Sequence, residues 1–307
     1  MVLAGSGFSF HFLPHTIAQQ LGLYQRDGLK VAIEIVPGGG AKGTQALLGG
    51  SADVVVGFHD DCVRMAAAGQ AIRSFVTMTR YPGNLLFTSP QSSTRIQQIE
   101  DLKGSLIGVS DLGSQNYFFL NYLLIRHGLA PSDVTPIATH SLPAAMAALE
   151  SGKLDALSNF EPAASIVLKR HPNVRILADV RTEHAVRETF GVKSYGGFAL
   201  YAKAHWLAQN PSKTRRLARA IQASLQGIHH HSPDEIMAVV LKSHFGGNPD
   251  VHRTALIRSM GIFSESGFMS REGAEATRNT LASSLGNVRN AHFDLSQTYT
   301  NEFLAGQ

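Results

Sequence analysis

The chain has one cysteine, Cys62, in 307 residues, so no disulfide can close within it. Cys62 follows His59-Asp60-Asp61 at a strand-to-helix turn and reads as a small buried residue rather than a nucleophile. No apolar run approaches the length of a membrane span. No basic stretch followed by an apolar run opens the chain, so no secretory leader is expected in it; a leader removed from a mature protein would give the same picture. The hydrolase and nucleotide signatures Gly-x-Ser-x-Gly, His-Glu-x-x-His and Gly-x4-Gly-Lys-Ser/Thr are missing. There is also no block of lysine and arginine. The densest basic stretch, Lys213 to Arg216 with Arg219, falls on one predicted helix and reads as a solvated face, so nucleic acid is not an expected partner. The chain opens on a predicted strand, which leaves no room before it for a DNA-reading helix-turn-helix.

What remains is the composition of a globular protein with a core: 44% hydrophobic, 16% charged, net charge +4. A ten-residue stretch occurs twice, as Ala46-Leu-Leu-Gly-Gly-Ser-Ala-Asp53-Val-Val and Ala148-Leu-Glu-Ser-Gly-Lys-Leu-Asp155-Ala-Leu. Each copy is a helix end, a glycine turn and an acidic step into an apolar strand. Gly50 and Gly152 stand where a helix C-terminus takes a residue tolerant of positive φ. Two copies roughly a hundred residues apart predict two similar α/β lobes with a cleft between them.

The first 80 residues alternate strand and helix, which predicts a mainly parallel open sheet. Predicted strands cover Val2–Ala4, Lys30–Val36, Val54–Gly57 and Ser74–Thr79. Further strand-helix-strand units run from Leu106 to Asn159, with Ser141 as the N-cap of their middle helix. Ser194–Tyr201 is predicted as a strand containing Gly196-Gly197, and beyond it the pattern becomes helical. Asn210-Pro211 and Ser232-Pro233 open two of those helices as cap and first-turn proline. His229-His230-His231 lies between them and is read as cations at a helix C-terminus, because three adjacent residues do not face one point.

Ligands of open parallel sheets sit beyond the carboxyl ends of the strands. That rule selects the loops Ser6–His11, Gly38–Thr44, Phe58–Asp61 and Ser110–Asn116. Two of them suit an anion. Gly113-Ser114-Gln115-Asn116 offers a hydroxyl and backbone N–H groups at a helix N-terminus. Gly40, Lys42, Gly43 and Thr44 offer the same with a counter-charge. Phe8, Phe10 and Phe58 fall on cleft-facing loops and suit an apolar or aromatic ligand body. His11, His59, Asp60 and Arg80 are polar groups able to point inward, and Asn159 and Glu161 end the strand after the second repeat. Asp60 and Asp61 sit badly with a purely anionic ligand and suit an amino or hydroxyl group, or a helix cap.

The stretch Gln19-Gln-Leu-Gly-Leu-Tyr-Gln-Arg-Asp-Gly-Leu-Lys-Val-Ala-Ile33 resembles the opening signature of solute-binding proteins of ABC importers, in the sulfonate/nitrate/taurine group. Both repeats, Asp101-Leu-Lys-Gly-Ser-Leu-Ile-Gly-Val109, Gly113-Ser114, Asn210-Pro211, Ser266-Gly-Phe-Met269 and Tyr299-Thr-Asn-Glu-Phe303 fit it in order. The resemblance implies an α/β, two-lobed, type II periplasmic-binding-protein fold. Each lobe would be a mixed, mostly parallel sheet flanked by helices, with a C-terminal helical extension. Lobe I would hold residues 1–86 and 199–307 and lobe II residues 87–198, with hinges near 85–88 and 195–198. Asn84, Tyr195 and Gly196, beside the crossings, complete the candidate ligand set.

The function so implied is capture of a small organic anion, a sulfonate or carboxylate, for delivery to a membrane permease. The protein would be a monomer, periplasmic or lipid-anchored outside the cytoplasm, without catalytic residues, metal or cofactor. The fold is also similar to the thiamine-pyrimidine synthase family, whose cysteine-rich iron motif this one-cysteine chain lacks. A binding protein for a thiamine-pyrimidine precursor or related heterocycle is the alternative, since Asp60, Asp61 and Glu161 with the aromatics suit such a heterocycle, and an enzyme of the synthase type stands behind it.

Overall fold

A computed structural model describes residues 1–5, 9–35, 40–240 and 248–305. Phe8, much of the loop Ser6–His11 and the glycines before Gly40 lie outside the described residues.

The chain builds one sheet, then a second, then returns to the first. The first stretch runs β1 (Val2–Gly5), α1 (Leu13–Gln20), α2 (Leu23–Arg26), β2 (Ala32–Ile35), α3 (Gly40–Gly49), β3 (Val54–Phe58), α4 (His59–Ala67) and β4 (Ile72–Thr77). The second runs β5 (Leu85–Thr88), β6 (Leu106–Val109), α5 (Gln115–Arg126), β7 (Thr135–Ala138), α6 (Leu142–Glu150), β8 (Ala156–Asn159), α7 (Ala163–Arg170), β9 (Ile176–Asp179) and α8 (Glu183–Phe190). The return brings β10 (Phe198–Lys203), α9 (Ala204–Gln209), α10 (Pro211–His230), α11 (Pro233–Val239), α12 (Pro249–Ser259), α13 (Arg271–Ser284) and α14 (Gly286–Asn290).

Both sheets have five strands and the same plan. The first is ordered β2-β1-β3-β10-β4, the second β7-β6-β8-β5-β9. In the first, β1 runs parallel to β2 and β3 while β10 is antiparallel to β3 and β4. In the second, β6 runs parallel to β7 and β8 while β5 is antiparallel to β8 and β9. The antiparallel strand is in each case the one that enters from the other half of the chain. The segment 85–88 named above as a hinge is β5 itself, and 195–198 ends on the first residue of β10.

Local chemistry sets these elements. β3, Val-Val-Val-Gly-Phe, is buried along its whole length, as a strand covered by helices on both faces must be. Burying large side chains such as Phe75, Phe87, Phe119 and Phe263 contributes about 1.5–3 kcal/mol each. On α10 the buried Thr214, Leu217, Ala218, Ile221, Leu225 and Ile228 recur at helical spacing, and Arg215, Arg216 and Arg219 stand exposed on the other face. Arg219 there meets Asp27 at 2.9 Å.

Two readings of these elements are corrected. The predicted strand Ser194–Tyr201 begins only at Phe198: Gly196 donates its N–H to the Gly273 carbonyl of α13 at 2.9 Å, and Gly197, packed on Thr79, keeps one last bond to the sheet side by accepting from the His59 N–H at 3.0 Å. Asn210 stands at the start of α10 without capping it. Its side-chain amide donates back to the Trp206 carbonyl at 3.0 Å.

Candidate functional site

The carboxyl ends of the parallel strands carry the residues of interest, as the topology requires. His59 opens α4 directly after β3, and Gln115 opens α5 a short loop after β6. Contacts link these two helix starts into a ring that passes through both crossings. Phe58 lies 5.5 Å from the His11 ring. His11 Nε2 meets the Pro82 carbonyl at 3.0 Å. Asn84 Nδ2 donates to Asn116 Oδ1 at 2.7 Å. Arg64 on α4 donates to the Gly113 carbonyl at 3.3 Å and to Asp61 at 3.2 Å.

His11 sits among three phenylalanines. Phe58, Phe160 and Phe198 surround it at 5.5, 4.4 and 5.4 Å. Phe58, at the end of β3, stacks on Phe160, just past β8 in the other sheet, with ring centres 5.4 Å apart. The two halves of the molecule therefore touch through aromatic faces. Burial pushes the His11 pKa down to about 4, against the raising effect of the Pro82 carbonyl, so the ring is neutral at pH 7. A carbonyl only accepts, so the proton is on Nε2 and Nδ1 presents a lone pair.

Several buried polar atoms on these segments have no protein partner: His11 Nδ1, Asp60 Oδ1, Asn84 Oδ1, and both Oε1 and Nε2 of Gln115; Arg73, Ser105, Thr280 and Ser284 carry others elsewhere in the chain. Native interiors leave few such atoms unpaired, since each costs about 1–3 kcal/mol. Asp60 is pushed up to about 8, first by burial and then by the charge of Asp61; Arg64 and the backbone N–H groups of Asp61 and Asp60 pull the other way. Its carboxyl is thus largely protonated at neutral pH. Burial also raises Asp61, which Arg64, Tyr201 and Thr44 oppose.

The other candidates divide into three kinds. Some are exposed or make their contacts within the protein. Lys42 is exposed on α3. Arg80 turns to Glu265 at 2.8 Å and the Gly261 carbonyl. Ser114 is the N-cap of α5, accepting from the Tyr117 N–H and donating to the Asp111 carbonyl at 2.8 Å. Glu161 is sealed against Arg181 at 2.6 Å and both the hydroxyl and N–H of Ser165. Asn159 accepts from the next residue's N–H at 2.8 Å.

A second kind serves the packing. Gly43 faces Val55, where a Cβ would stand 3.0 Å from a methyl group. Gly40 opens α3, and Phe10 is fully buried in the main core. Thr44 meets the Tyr201 hydroxyl at 2.9 Å. His59 is held by Ser74 and Thr298 at 3.0 and 3.3 Å, and burial lowers it to about 3. Gly196 lies so close to Thr277 and His59 that no side chain fits. The buried Tyr195 packs on Phe190 at 4.8 Å.

The third kind is the ring itself, His11, Phe58, Asn84, Gly113 and Asn116, with Asp60 and Gln115 beside it at the starts of α4 and α5. Phe160, Phe198 and Arg64 join it, and sequence reasoning did not pick them. Among the described residues no three or more His, Cys, Asp or Glu side chains are grouped to hold a metal ion. Among them, too, no helix is long and apolar enough to cross a membrane.

A family model described as NMT1/THI5 like matches residues 9–236. The chain belongs to that family. This NMT1/THI5-like chain is 32% identical to a protein of Bordetella bronchiseptica RB50 whose solved structure superposes with a TM-score of 0.91, covering 98% of this chain and 94% of that one. The periplasmic aliphatic sulphonate binding protein SsuA from Escherichia coli is 19% identical, with a TM-score of 0.69 over 91% of this chain and 89% of its own. The fold is therefore that of the periplasmic binding proteins, with two mixed sheets flanked by helices. The 4-amino-5-hydroxymethyl-2-methylpyrimidine phosphate synthase of Schizosaccharomyces pombe is 26% identical over 217 residues, 70% of this NMT1/THI5-like chain. The chain spans 61% of the length of that curated relative.

Proposed function

We propose that this protein is the solute-binding component of an importer, acting outside the cytoplasm, and that it captures an amino-substituted heterocycle of the pyrimidine class in the cleft between its sheets. The observation that carries this reading is the set of unpartnered atoms on and beside the ring. His11 Nδ1, Asn84 Oδ1 and Gln115 Oε1 all accept, Asp60 Oδ1 belongs to a carboxyl that exchanges a proton near neutral pH, and only Gln115 Nε2 is a plain donor. A sulfonate or carboxylate brings more acceptors to a site already rich in them. An aminopyrimidine brings N–H donors, a ring nitrogen for the protonated carboxyl or the Gln115 amide, and a flat face for Phe58 and Phe160. The cations offered by the sequence argue the same way, since Lys42 is exposed and Arg80 is turned to Glu265.

The relative from Schizosaccharomyces pombe handles a pyrimidine of this class by name, which supports the ligand chemistry. Binding rather than synthesis is the reading for this chain. Its single thiol, Cys62, is buried and pushed well above the usual range by burial and the neighbouring carboxylates, so it does not supply a reactive thiolate. A permease that accepts the closed protein is the partner this reading calls for, with the protein acting as a monomer whose two halves move about the crossings.

Calorimetric titration tests the ligand. We expect 4-amino-5-hydroxymethyl-2-methylpyrimidine to bind, and Gln115→Ala and Asp60→Ala each to weaken it at least tenfold. Binding of taurine or an alkanesulfonate with no response to the pyrimidine would restore the anion reading and overturn this one.

A further inference from the structure

Arg64 stands on the ring without being one of the proposed ligand contacts, and it reaches from α4 to the other sheet's loops. Its Nη1 donates to the Gly113 carbonyl at 3.3 Å, and its guanidinium lies over the Phe118 ring at 5.1 Å. Both partners belong to the β6–α5 connection and to α5, whose first residue is Gln115. Arg64 is aimed there by Asp61, one turn earlier, through a 3.2 Å ion pair. Asp61 is held in turn by its other oxygen, which accepts from the Tyr201 hydroxyl of β10 at 3.1 Å, and Tyr201 meets Thr44 of α3 at 2.9 Å. Three elements of the first half thus fix one guanidinium.

On the receiving side, Gly113 has a φ of 135°, a backbone conformation that side-chain-bearing residues rarely adopt, while a Cβ there would meet nothing within 4 Å. The glycine is needed for the path of the backbone, which presents its carbonyl, and not for space.

We infer that Arg64 is a positioning residue that latches the two halves in the closed state, through the Gly113 carbonyl and the Phe118 face, and so sets how long a captured ligand stays. An arginine suits the task. It satisfies Asp61 and a carbonyl together while stacking on a ring, which a lysine does less well. Asp61 is buried and Arg64 mostly so, so Arg64→Ala also leaves a carboxylate without its cation and costs stability; Arg64→Lys, which keeps a charge beside Asp61 but not the fork to Gly113 and the ring face, separates the latch from the ion pair.

The ligand part of this inference rests on the cleft reading above, so the test has an arm without ligand. Fluorophores at Gln70 and Lys153, both exposed and on opposite halves, report closure by energy transfer. In ligand-free protein, Arg64→Ala and Tyr201→Phe are expected to shift the population toward a longer separation, with Arg64→Lys intermediate. With 4-amino-5-hydroxymethyl-2-methylpyrimidine as probe, stopped-flow is expected to show the dissociation rate of Arg64→Ala raised about tenfold and the association rate within twofold of wild type. An unchanged separation in Arg64→Ala overturns the latch. So does an unchanged dissociation rate in protein that binds the probe. A wild type that ignores the probe but opens on Arg64→Ala keeps the latch and overturns only the ligand reading.

Discussion

Asp53 and Asp155 do the same thing in the two sheets. Asp53 Oδ2 accepts the N–H of Val2, the first residue of β1, at 2.8 Å, and Asp155 Oδ2 accepts the N–H of Leu106, the first residue of β6, at 2.9 Å. The backbone closes the loop in both places, with the N–H of Asp53 donating to the Val2 carbonyl at 2.9 Å and that of Asp155 to the Leu106 carbonyl at 2.8 Å. The repeated sequence is therefore a repeated clamp, which ties the start of the third strand position to the start of the first. Its remaining bonds differ: Asp53 also takes the Trp206 indole, and Asp155 takes Ser92 and Arg95.

The clamp predicts matched losses. Asp53→Ala and Asp155→Ala each remove a charge-assisted hydrogen bond to a strand N–H, which is worth about 1–3 kcal/mol. Urea denaturation should show a drop of that size for each. Ligand affinity should stay within twofold, because both residues lie at the amino ends of strands β1 and β6, away from the ring.

How much of this was legible in the sequence follows from range. Twin lobes were readable because the clamp is local: helix end, glycine and aspartate lie within ten residues. The insertion of β5 and β10 as antiparallel strands was not, since each pairs with partners far along the chain. The same holds for the aromatic cage, which joins His11, Phe58, Phe160 and Phe198 from four separate segments. At the start of α5 the difficulty was different. Ser114 and Gln115 are adjacent polar residues at a helix N-terminus, and spacing does not say which one caps. The structure gives the cap to Ser114 and leaves the Gln115 amide unpaired. A capping serine followed by a longer amide was the available signal.

Gly83 seats His11. Its φ is 71°, and a Cβ there would stand 2.8 Å from His11 Nε2, the atom bonded to Pro82. Gly83→Ala must bear left-handed backbone strain of roughly 1–2 kcal/mol and also displace the imidazole. Thermal denaturation should show the stability loss. Ligand affinity should fall as well, which separates this variant from the clamp variants.

Acid should unfold the protein in a defined window. Burial lowers His11 and His15 to about 4 and His59 to about 3, from an ordinary 6.5. The unfolded chain therefore binds protons first as pH falls. Stability from these three groups is complete above pH 6.5 and declines as pH drops toward 3–4, each histidine adding a slope approaching about 1.4 kcal/mol per pH unit. Chemical denaturation at pH 7, 6, 5 and 4 measures it. Replacing His59 by Gln, which keeps a polar group beside Ser74 and Thr298, should flatten the decline.

Asp60 runs with the opposite sign. Its pKa rises from 3.8 to about 8 on folding, so the native state holds the proton more tightly than the unfolded one. Its stability contribution is full below pH 3.8 and is lost as pH climbs to about 8. Asp60→Asn removes the titration while keeping the shape. Relative to wild type, that variant should change little near pH 4 and gain on the order of a few kcal/mol near pH 9, where the wild type must bury a carboxylate beside Asp61. It should bind 4-amino-5-hydroxymethyl-2-methylpyrimidine less tightly, since an amide cannot share a proton with a ring nitrogen as a carboxyl does. A residue whose replacement stabilises the protein and weakens the ligand is retained for binding. A variant neither more stable at pH 9 nor weaker in binding would remove Asp60 from the site.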